Sequence, residues 1–205
     1  MVPDYWDKAK RSLRARDPVL AGIIRGHPRI ALATRGDPFQ TLARSIIGQQ
    51  ISVKAADSVW RKFSGTVVTV APETVLSAGK RRLSASGLSQ RKVEYLLELA
   101  SHFVDGSIGV DTWMLLDDEA VIRKLIEVRG IGRWTAQMFL IFNLLRPDVL
   151  PLDDLGLQRA VRLHYFADRA ISIDVIRKLA ARWIPYRSVA TWYLWRSLDP
   201  VPVEY

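Results

Sequence analysis

Apolar positions recur with a helical period along most of the chain. In two segments they stand at i, i+3, i+4 and i+7, namely Phe39, Leu42, Ala43 and Ile46, and Val93, Leu96, Leu97 and Ala100. This spacing places the apolar side chains on one face of a helix, which can then pack against a core. The pattern predicts helices over residues 18–25, 38–48, 53–63, 72–78, 90–105, 118–128, 133–145, 154–167, 173–184 and 186–198.

Helix-start and helix-stop signals set these bounds. Asp17 and Asp37 each precede a proline, so each is expected to be an N-cap acid before a proline at the first helical position. Further predicted caps and stops are Ser52, Ser89, Asp117 and Ser172, and Gly26, Gly65 and Gly106. The one β-like run, residues 66–70, is short and solitary, which favours an extended link between helices. The sequence therefore predicts an all-α protein.

A glycine-containing turn interrupts the helical pattern at residues 128–136, which read VRGIGRWTA. Gly130 and Gly132 let the backbone turn tightly and approach another surface, while the apolar Ile131 between them can plug the turn into the core. The helix that follows presents backbone N–H groups and the positive end of its dipole, which suit a phosphate oxygen. An ordinary helix–helix connection with a glycine cap is the alternative interpretation of this turn taken alone.

Two adjacent carboxylates follow the turn. Asp153 and Asp154 come after the extended residues 149–152 and directly before a predicted helix. One acid can therefore cap the helix while the other faces a cleft. The alternative is that both acids serve only the helix terminus, where Asp is common. The upstream turn favours the functional interpretation.

Composition narrows the class of partner. The 205 residues include 30 Lys and Arg against 21 Asp and Glu, a formal charge of +9, which is typical of a protein that binds polyphosphate. No apolar run approaches the ~20 residues that span a bilayer, and the N-terminal segment lacks the apolar core of a secretion signal. An intracellular protein without a membrane partner is expected.

Metal and thiol chemistry find no support in the sequence. The chain has no cysteine, which removes disulfides, thiolate nucleophiles and thiolate-held metal clusters. His27, His102 and His164 lie far apart and lack the spacing of metal ligands, so surface or packing roles are expected. No metal site is predicted.

Four segments, in this order, closely resemble one known family. They are SIIGQQISVKAA at residues 45–56, VRGIGRWTAQMFLIF at 128–142, LPLDD at 150–154 and RWIPYRSVATWYLWR at 182–196. The family is the helix-hairpin-helix DNA glycosylases, and within it the branch known as DNA-3-methyladenine glycosylase II. The resemblance covers roughly residues 37 to 198.

The resemblance implies two helical domains flanking a cleft that holds the active site. The central domain, residues 36–149, ends in the helix-hairpin-helix, and the second domain combines residues 1–35 with residues 150–205. The resemblance assigns catalysis to Asp154 and leaves Asp153 a capping or supporting role. A carboxylate at that place can stabilise an oxocarbenium-like sugar and orient or deprotonate the attacking water.

The resemblance places Trp134, Met138 and Tyr186 in the base pocket. In relatives that also cut the sugar–phosphate backbone, the residue at position 134 is a lysine that attacks the sugar. An indole cannot form a Schiff base, so a monofunctional enzyme with water as the nucleophile is implied, whether Trp134 lines the pocket or packs against the hairpin. Some relatives have Tyr in place of Met138 and Trp in place of Tyr186, which leaves the substrate range open. Core packing is expected for three other tryptophans, Trp183, Trp192 and Trp195.

The resemblance also assigns contacts with DNA. Gln50, in the loop GQQIS of residues 48–52, is the wedge that fills the space left by a flipped nucleotide. Its alternative role is an exposed polar residue in a turn. The expected hairpin contacts are Arg129, Gly130, Ile131, Gly132, Arg133 and Thr135. No cofactor is implied beyond at most a monovalent cation at the hairpin.

Together these features predict a monofunctional glycosylase of the DNA-3-methyladenine glycosylase II type. It would flip alkylated purines such as 3-methyladenine and 7-methylguanine out of duplex DNA and hydrolyse the N-glycosidic bond, acting as a monomer in base excision repair. Two alternatives are a non-catalytic helix-hairpin-helix module that grips duplex phosphates, and a glycosylase for oxidised or mismatched bases. Trp134 and the missing cluster cysteines disfavour the second alternative.

Overall fold

A computed structural model describes residues 2–28, 31–34 and 36–198, and within these residues the chain is helical and contains no strand. The α-helices are α1 Trp6–Arg16, α2 Pro18–Gly26, α3 Pro38–Gly48, α4 Val53–Val67, α5 Pro72–Ala85, α6 Gln90–Val104, α7 Val110–Trp113, α8 Asp118–Ile126, α9 Arg133–Phe142, α10 Leu155–Tyr165, α11 Ile173–Ala180 and α12 Arg187–Leu198. A 3-10 helix, Ala181–Trp183, lies between α11 and α12. The predicted all-α fold class is confirmed.

Within the described residues, no helix combines the length and the apolar character that crossing a membrane requires.

Most of the predicted helix starts are confirmed. Five of the predicted caps accept a backbone N–H of their own helix through the side chain: Asp17, Asp37, Ser52, Ser89 and Asp117. Ser172 stands at the N-cap position of α11 without such a bond. Two helices, α1 and α7, were not predicted. Helix α1 is strongly polar and buries only Trp6, Ala9 and Leu13, so its apolar stripe is too narrow to dominate the sequence pattern.

The prediction for the β-like run at residues 66–70 is only partly confirmed: residues 68–70 link α4 to α5 and form no strand, but residues 66 and 67 belong to α4. Helix α4 continues through Gly65 to Val67, because Phe63 and Val67 lie one turn apart and are both buried. The chain leaves the helix only at Val68, which has φ +64° and is 85% exposed. Gly65 is therefore not a helix stop. Tertiary burial outweighs the local preference of β-branched residues for extended structure.

The described residues divide into two compact units. The terminal unit lies within Met1–Thr34 and Leu140–Glu204, and the central unit lies within Arg35–Phe139. The dividing point falls inside α9, between Phe139 and Leu140, whereas the sequence prediction placed it after residue 149. Residues 140–149 therefore belong to the terminal unit.

Helix α12 forms the middle of the terminal unit. It packs against α1, α2 and α10, and eight of its twelve residues are buried, on every side of the helix. Trp6 of α1 lies against it, stacked on Tyr193 with 5.6 Å between ring centroids and edge-on to Trp192 at 5.2 Å. Burial on every side is expected for a helix in such a position, and here it includes the polar residues Ser188, Thr191 and Arg196.

The central unit packs α3, α4, α5 and α6 in succession. The predicted apolar face of α3 is confirmed, since Phe39, Leu42, Ala43 and Ile46 are each at most 1% exposed. Phe39 meets Phe103 of α6 edge-on, with 5.3 Å between ring centroids. On α6 the buried face differs slightly from the prediction, because Leu99 is buried where Leu97 was expected.

One buried carboxylate joins three parts of the terminal unit. Asp17 has no exposed surface, and its Oδ1 accepts the backbone N–H groups of Val19 and Leu20 at the start of α2. Its Oδ2 accepts the Tyr165 hydroxyl at 2.8 Å and the Trp183 indole N–H at 2.9 Å. Burial, together with the Asp17 carboxylate, raises the pKa of Tyr165 well above its usual value. A buried carboxylate with four donors holds α2, α10 and the 3-10 helix together.

Replacement of Asp17 should test this arrangement. Asp17→Ala should lower the free energy of unfolding by roughly 2–4 kcal/mol, because it removes the α2 cap and leaves two buried donors without an acceptor. The matched control is Asp37→Ala, which removes a second Asp-Pro cap that is exposed and accepts one N–H, from Gln40. The control should lose only about 1 kcal/mol. Equal losses in urea unfolding would contradict the structural role given to Asp17.

Candidate functional site

The candidate residues fall in both units. In the central unit, α8 and α9 are joined by a short hairpin at residues 127–132. Backbone bonds from Val128 N–H to Leu125 and from Ile131 N–H to Val128 fold the hairpin back on itself. Val128 and Ile131 are 1% and 4% exposed, so the hairpin is anchored by their side chains.

The two hairpin glycines are needed for different reasons. Gly130 has φ +91°, and a Cβ built on it would lie 2.3 Å from Cδ2 of Tyr95. Its lack of a side chain is therefore required by the fold itself. Gly132 meets nothing within 4 Å of such a Cβ and has no left-handed φ, so the fold tolerates a side chain there. Its backbone faces open space at the start of α9, where a helix presents N–H groups that its own turns do not use.

A second loop contacts the hairpin. The Gln49 side chain donates its Nε2 N–H to the Gly130 carbonyl at 2.7 Å. The next residue, Gln50, is exposed and adopts φ +59°. A left-handed conformation is uncommon for a residue with a side chain and marks this loop as tightly constrained.

Both hairpin arginines are exposed and paired with carboxylates. The Arg129 guanidinium, with 66% of the side chain exposed, pairs with Glu98 of α6. The Arg133 guanidinium, 50% exposed, forms two hydrogen bonds with Glu119 of α8. A phosphate that contacts either arginine has to compete with these carboxylates.

The remaining central-unit candidates differ in exposure. Thr135 is 6% exposed and Ile131 is 4% exposed, so contact of either residue with a ligand depends on its backbone groups. Met138 is 8% exposed, and Trp134 on the first turn of α9 is half-buried. Of the two predicted pocket residues on α9, Trp134 has more accessible surface.

The roles expected for the paired carboxylates are corrected in the terminal unit. Asp153 was predicted to have a capping or supporting role, but it is exposed and does not cap α10, because Asp154 is the N-cap of that helix. Asp154 Oδ1 accepts the Leu157 backbone N–H at 2.6 Å. The extended backbone of Asp154, φ −75° and ψ 117°, is the conformation from which a side chain reaches the third helical residue. The two acids are chemically equivalent, so the backbone conformation decides which of them caps the helix.

Trp195 is the functional candidate that sequence reasoning missed. Its indole N–H donates to Asp154 Oδ1 at 2.7 Å, so one carboxylate oxygen accepts two hydrogen bonds. The Trp195 ring stacks on Phe142 with 5.8 Å between centroids and 16° between planes. A Cβ on Gly156 would lie 3.1 Å from both Asp154 Oδ1 and Trp195 Cδ1. Asp154 is therefore 9% exposed and held by a fixed indole.

The other aromatic candidates of the terminal unit lie elsewhere in it. The expected core packing of Trp183 and Trp192 is confirmed, at 0% and 6% exposure, whereas Trp195 is only half-buried. Tyr186 is 8% exposed and stacks on Tyr5, with 6.3 Å between ring centroids. Burial, with Asp4 nearby, raises the pKa of the Tyr5 hydroxyl, which donates to the Leu145 carbonyl at 2.6 Å.

The terminal unit offers a carboxylate and aromatic rings, and the central unit offers helix-terminal N–H groups. Among the described residues, no three His, Cys, Asp or Glu side chains are grouped to hold a metal ion. The groups present suit the stabilisation of a positive charge by Asp154 and the binding of a phosphate by the hairpin backbone.

A comparison with protein families finds one matching model. Residues 43–186 match the model described as "HhH-GPD superfamily base excision DNA repair protein". The match begins in α3 and ends at Tyr186, and so includes the Gln49–Gln50 loop, the hairpin and both aspartates.

Similar proteins of known structure or curated sequence agree with this match. The chain is similar to a DNA-3-methyladenine glycosidase from Bacillus halodurans, with a TM-score of 0.86 and 32% identity, over 93% of this chain and 89% of that one. It is similar to Schizosaccharomyces pombe Mag1, a 3-methyladenine DNA glycosylase solved in complex with abasic DNA, with a TM-score of 0.80 and 28% identity, over 97% and 99% of the two chains. The Bacillus subtilis protein YfjP is 31% identical over 88% of this chain, which spans 66% of YfjP.

The contrast between the hairpin glycines should appear in their stability. Gly130→Ala should lower the free energy of unfolding by about 2–4 kcal/mol, from the left-handed φ and the overlap with Tyr95. Gly132→Ala should change it by less than about 1 kcal/mol in either direction. Urea unfolding followed by circular dichroism checks both values. If Gly132→Ala lost as much as Gly130→Ala, the open surface described at Gly132 would be wrong.

Proposed function

The chain belongs to the HhH-GPD superfamily of base excision DNA repair proteins, and from that premise we propose that it is a monofunctional DNA glycosylase that excises alkylated purines from duplex DNA. The names of the similar proteins from Bacillus halodurans and Schizosaccharomyces pombe support this substrate class. The proposal includes duplex DNA as partner, a monomeric enzyme and action inside the cell, where DNA is found.

The observation that carries the proposal is the fixed carboxylate of Asp154. Two donors, the Leu157 N–H and the Trp195 indole, hold its Oδ1 in place. A carboxylate whose position is set before the reaction stabilises positive charge on an oxocarbenium-like sugar without reorganising. The same carboxylate can orient a water molecule and take its proton as the oxygen bonds to the anomeric carbon and the base leaves.

The substrate class follows from the charge of the leaving base. A purine methylated at N3 or N7 carries a positive charge and leaves without strong acid assistance. Aromatic rings attract such a base by about 0.5–2 kcal/mol each through cation–π contacts. Trp134 and Tyr186 are the proposed rings, with Met138 as a third pocket residue.

The hairpin and the Gln49–Gln50 loop have the DNA-binding role in this proposal. Gly132 leaves open space at the start of α9, which supports close approach of a phosphate to the backbone N–H groups. Gln50, exposed and in a constrained conformation, is the proposed wedge that occupies the gap left by the flipped base. In this proposal, hydrolysis requires no cofactor. A monovalent cation at the hairpin would assist phosphate binding and would take no part in hydrolysis.

Replacement of Asp154 by Asn should separate charge from geometry. Asn keeps an oxygen that can accept the Leu157 and Trp195 donors, so the cap and the stacked indole should survive. Base release in single-turnover assays should fall by at least about 100-fold, because the negative charge opposite the sugar is lost. Affinity for duplex DNA should be unchanged.

The matched control is Asp153→Asn, which makes the same change at the exposed neighbouring acid. It should release bases at close to the wild-type rate. Excision by Asp154→Asn at the rate of this control would remove Asp154 from the mechanism and require another group to stabilise the sugar.

The identity of residue 134 predicts the reaction product. Because Trp134 has no amine, the abasic product should keep an intact sugar–phosphate backbone. Borohydride added during turnover on methylated duplex DNA should trap no covalent protein–DNA complex, as judged by denaturing electrophoresis. Efficient trapping would show that another amine of the chain attacks the sugar.

A further inference from the structure

Three residues on one face of α6 reach the two loops that the proposed function places on DNA. Lys92, Tyr95 and Glu98 are spaced by three positions, which puts them on one side of the helix over about 9 Å. Residues outside the family's hairpin and loop motifs thus contact both of these loops. We call this set the α6 stripe.

Lys92 holds the loop that carries Gln50. Its Nζ donates to the carbonyls of Ile47 and Gln49, both at 2.8 Å. These carbonyls lie at the C-terminal end of α3, where a helix leaves its last acceptors without partners of their own and where positive charge is favourable. Burial lowers the pKa of Lys92, as expected for an ammonium partly withdrawn from water. One ammonium therefore fixes the backbone on the N-terminal side of Gln50.

Tyr95 and Glu98 hold the hairpin. The Tyr95 ring lies so close to Gly130 that no Cβ fits between them, with three ring atoms within 2.8 Å of its ideal position. The Glu98 carboxylate accepts the Arg129 backbone N–H at 3.2 Å and also binds the Arg129 guanidinium. Tyr95 and Glu98 therefore fix the hairpin backbone at Gly130 and Arg129.

Gln49 links the two loops directly. Its side chain donates to the Gly130 carbonyl at 2.7 Å, while its own carbonyl accepts the Lys92 ammonium. The contacts form a closed path from Lys92 through Gln49 to Gly130, and from Gly130 through the Tyr95 ring back to α6. A path closed in this way resists displacement of either loop alone.

We propose that the α6 stripe positions the Gln50 loop and the phosphate-facing hairpin as one rigid element, so that the wedge is held at a set place relative to the gripped phosphates. This proposal rests on the proposed function for the identity of the two loops. A wedge stabilises the flipped state only if its loop does not yield when the duplex recloses. Lys92 is therefore a positioning residue for base flipping and does not touch the reacting atoms.

Amide hydrogen exchange tests the coupling without any need for activity. Lys92→Met keeps the length of the side chain and removes the ammonium. The segments 45–52 and 128–134 should then both exchange about tenfold faster, because two carbonyls lose a charged donor. The control is Lys62→Met, the same change at an exposed lysine of α4, which should leave both segments unchanged. Faster exchange confined to residues 45–52, or in neither segment, would overturn the proposal.

A second variant tests the same coupling where folding is not at stake. Gln49→Met removes the side-chain bond to Gly130 from a partly exposed loop position. It should also speed exchange in residues 128–134. Unchanged exchange in that segment would overturn the proposal independently of Lys92.

The excision rate separates positioning from general damage. On 7-methylguanine paired with cytosine, Lys92→Met should slow single-turnover release about tenfold, whereas on an unpaired lesion in a bulge the loss should be much smaller, because flipping costs less there. Lys92→Arg, which can still donate to two carbonyls, should restore most of the rate on the paired substrate. Equal losses on paired and bulged lesions would overturn the positioning role. Failure of the wild type to release either lesion would count against the proposed function, and the exchange results would still test the α6 stripe.

Discussion

The position of the candidate acid in the terminal unit depends on a single oxygen atom that accepts two hydrogen bonds. Asp154 Oδ1 receives the Leu157 N–H of α10 and the Trp195 indole N–H of α12, so the start of one helix is tied to the buried central helix of the unit. The carboxylate is thereby both a helix cap and a charge held in a fixed place. A cap is replaceable by several residue types, but a preorganised negative charge is not, and this difference distinguishes a structural acid from a catalytic one.

In the central unit, internal contacts hold two surface segments in place, the Gln49–Gln50 loop and the glycine hairpin. The Tyr95 ring occupies the space that a side chain on Gly130 would need, and the Gln49 side-chain amide donates to the Gly130 carbonyl. At Gly132, by contrast, an added Cβ would meet nothing within 4 Å, and we propose that the lack of a side chain there lets a phosphate approach the backbone. The two glycines are therefore needed for different reasons. Gly130 is required by internal packing, and Gly132 by the proposed binding of a phosphate.

Much of the fold could be predicted because caps and apolar periods are local signals, as Asp17, Asp37 and the buried face of α3 show. The exceptions have physical causes. The end of α4 follows burial of Val67 and overrides the β-branched run, and α1 is too polar to reveal its stripe. The sequence could not show which of Asp153 and Asp154 caps α10, because the backbone conformation alone decides it. Trp195 was assigned to the core since a helix buried on all sides gives no periodic signal to show which ring meets the carboxylate.

We propose that a carboxylate held in this way makes the chain an enzyme that releases alkylated bases. The most direct measurement is mass spectrometry of the free bases released from duplex DNA treated with a methylating agent, with parallel counting of abasic sites. We expect release of 3-methyladenine and 7-methylguanine in numbers equal to the abasic sites formed. Tight binding of the methylated duplex with no base released would contradict it.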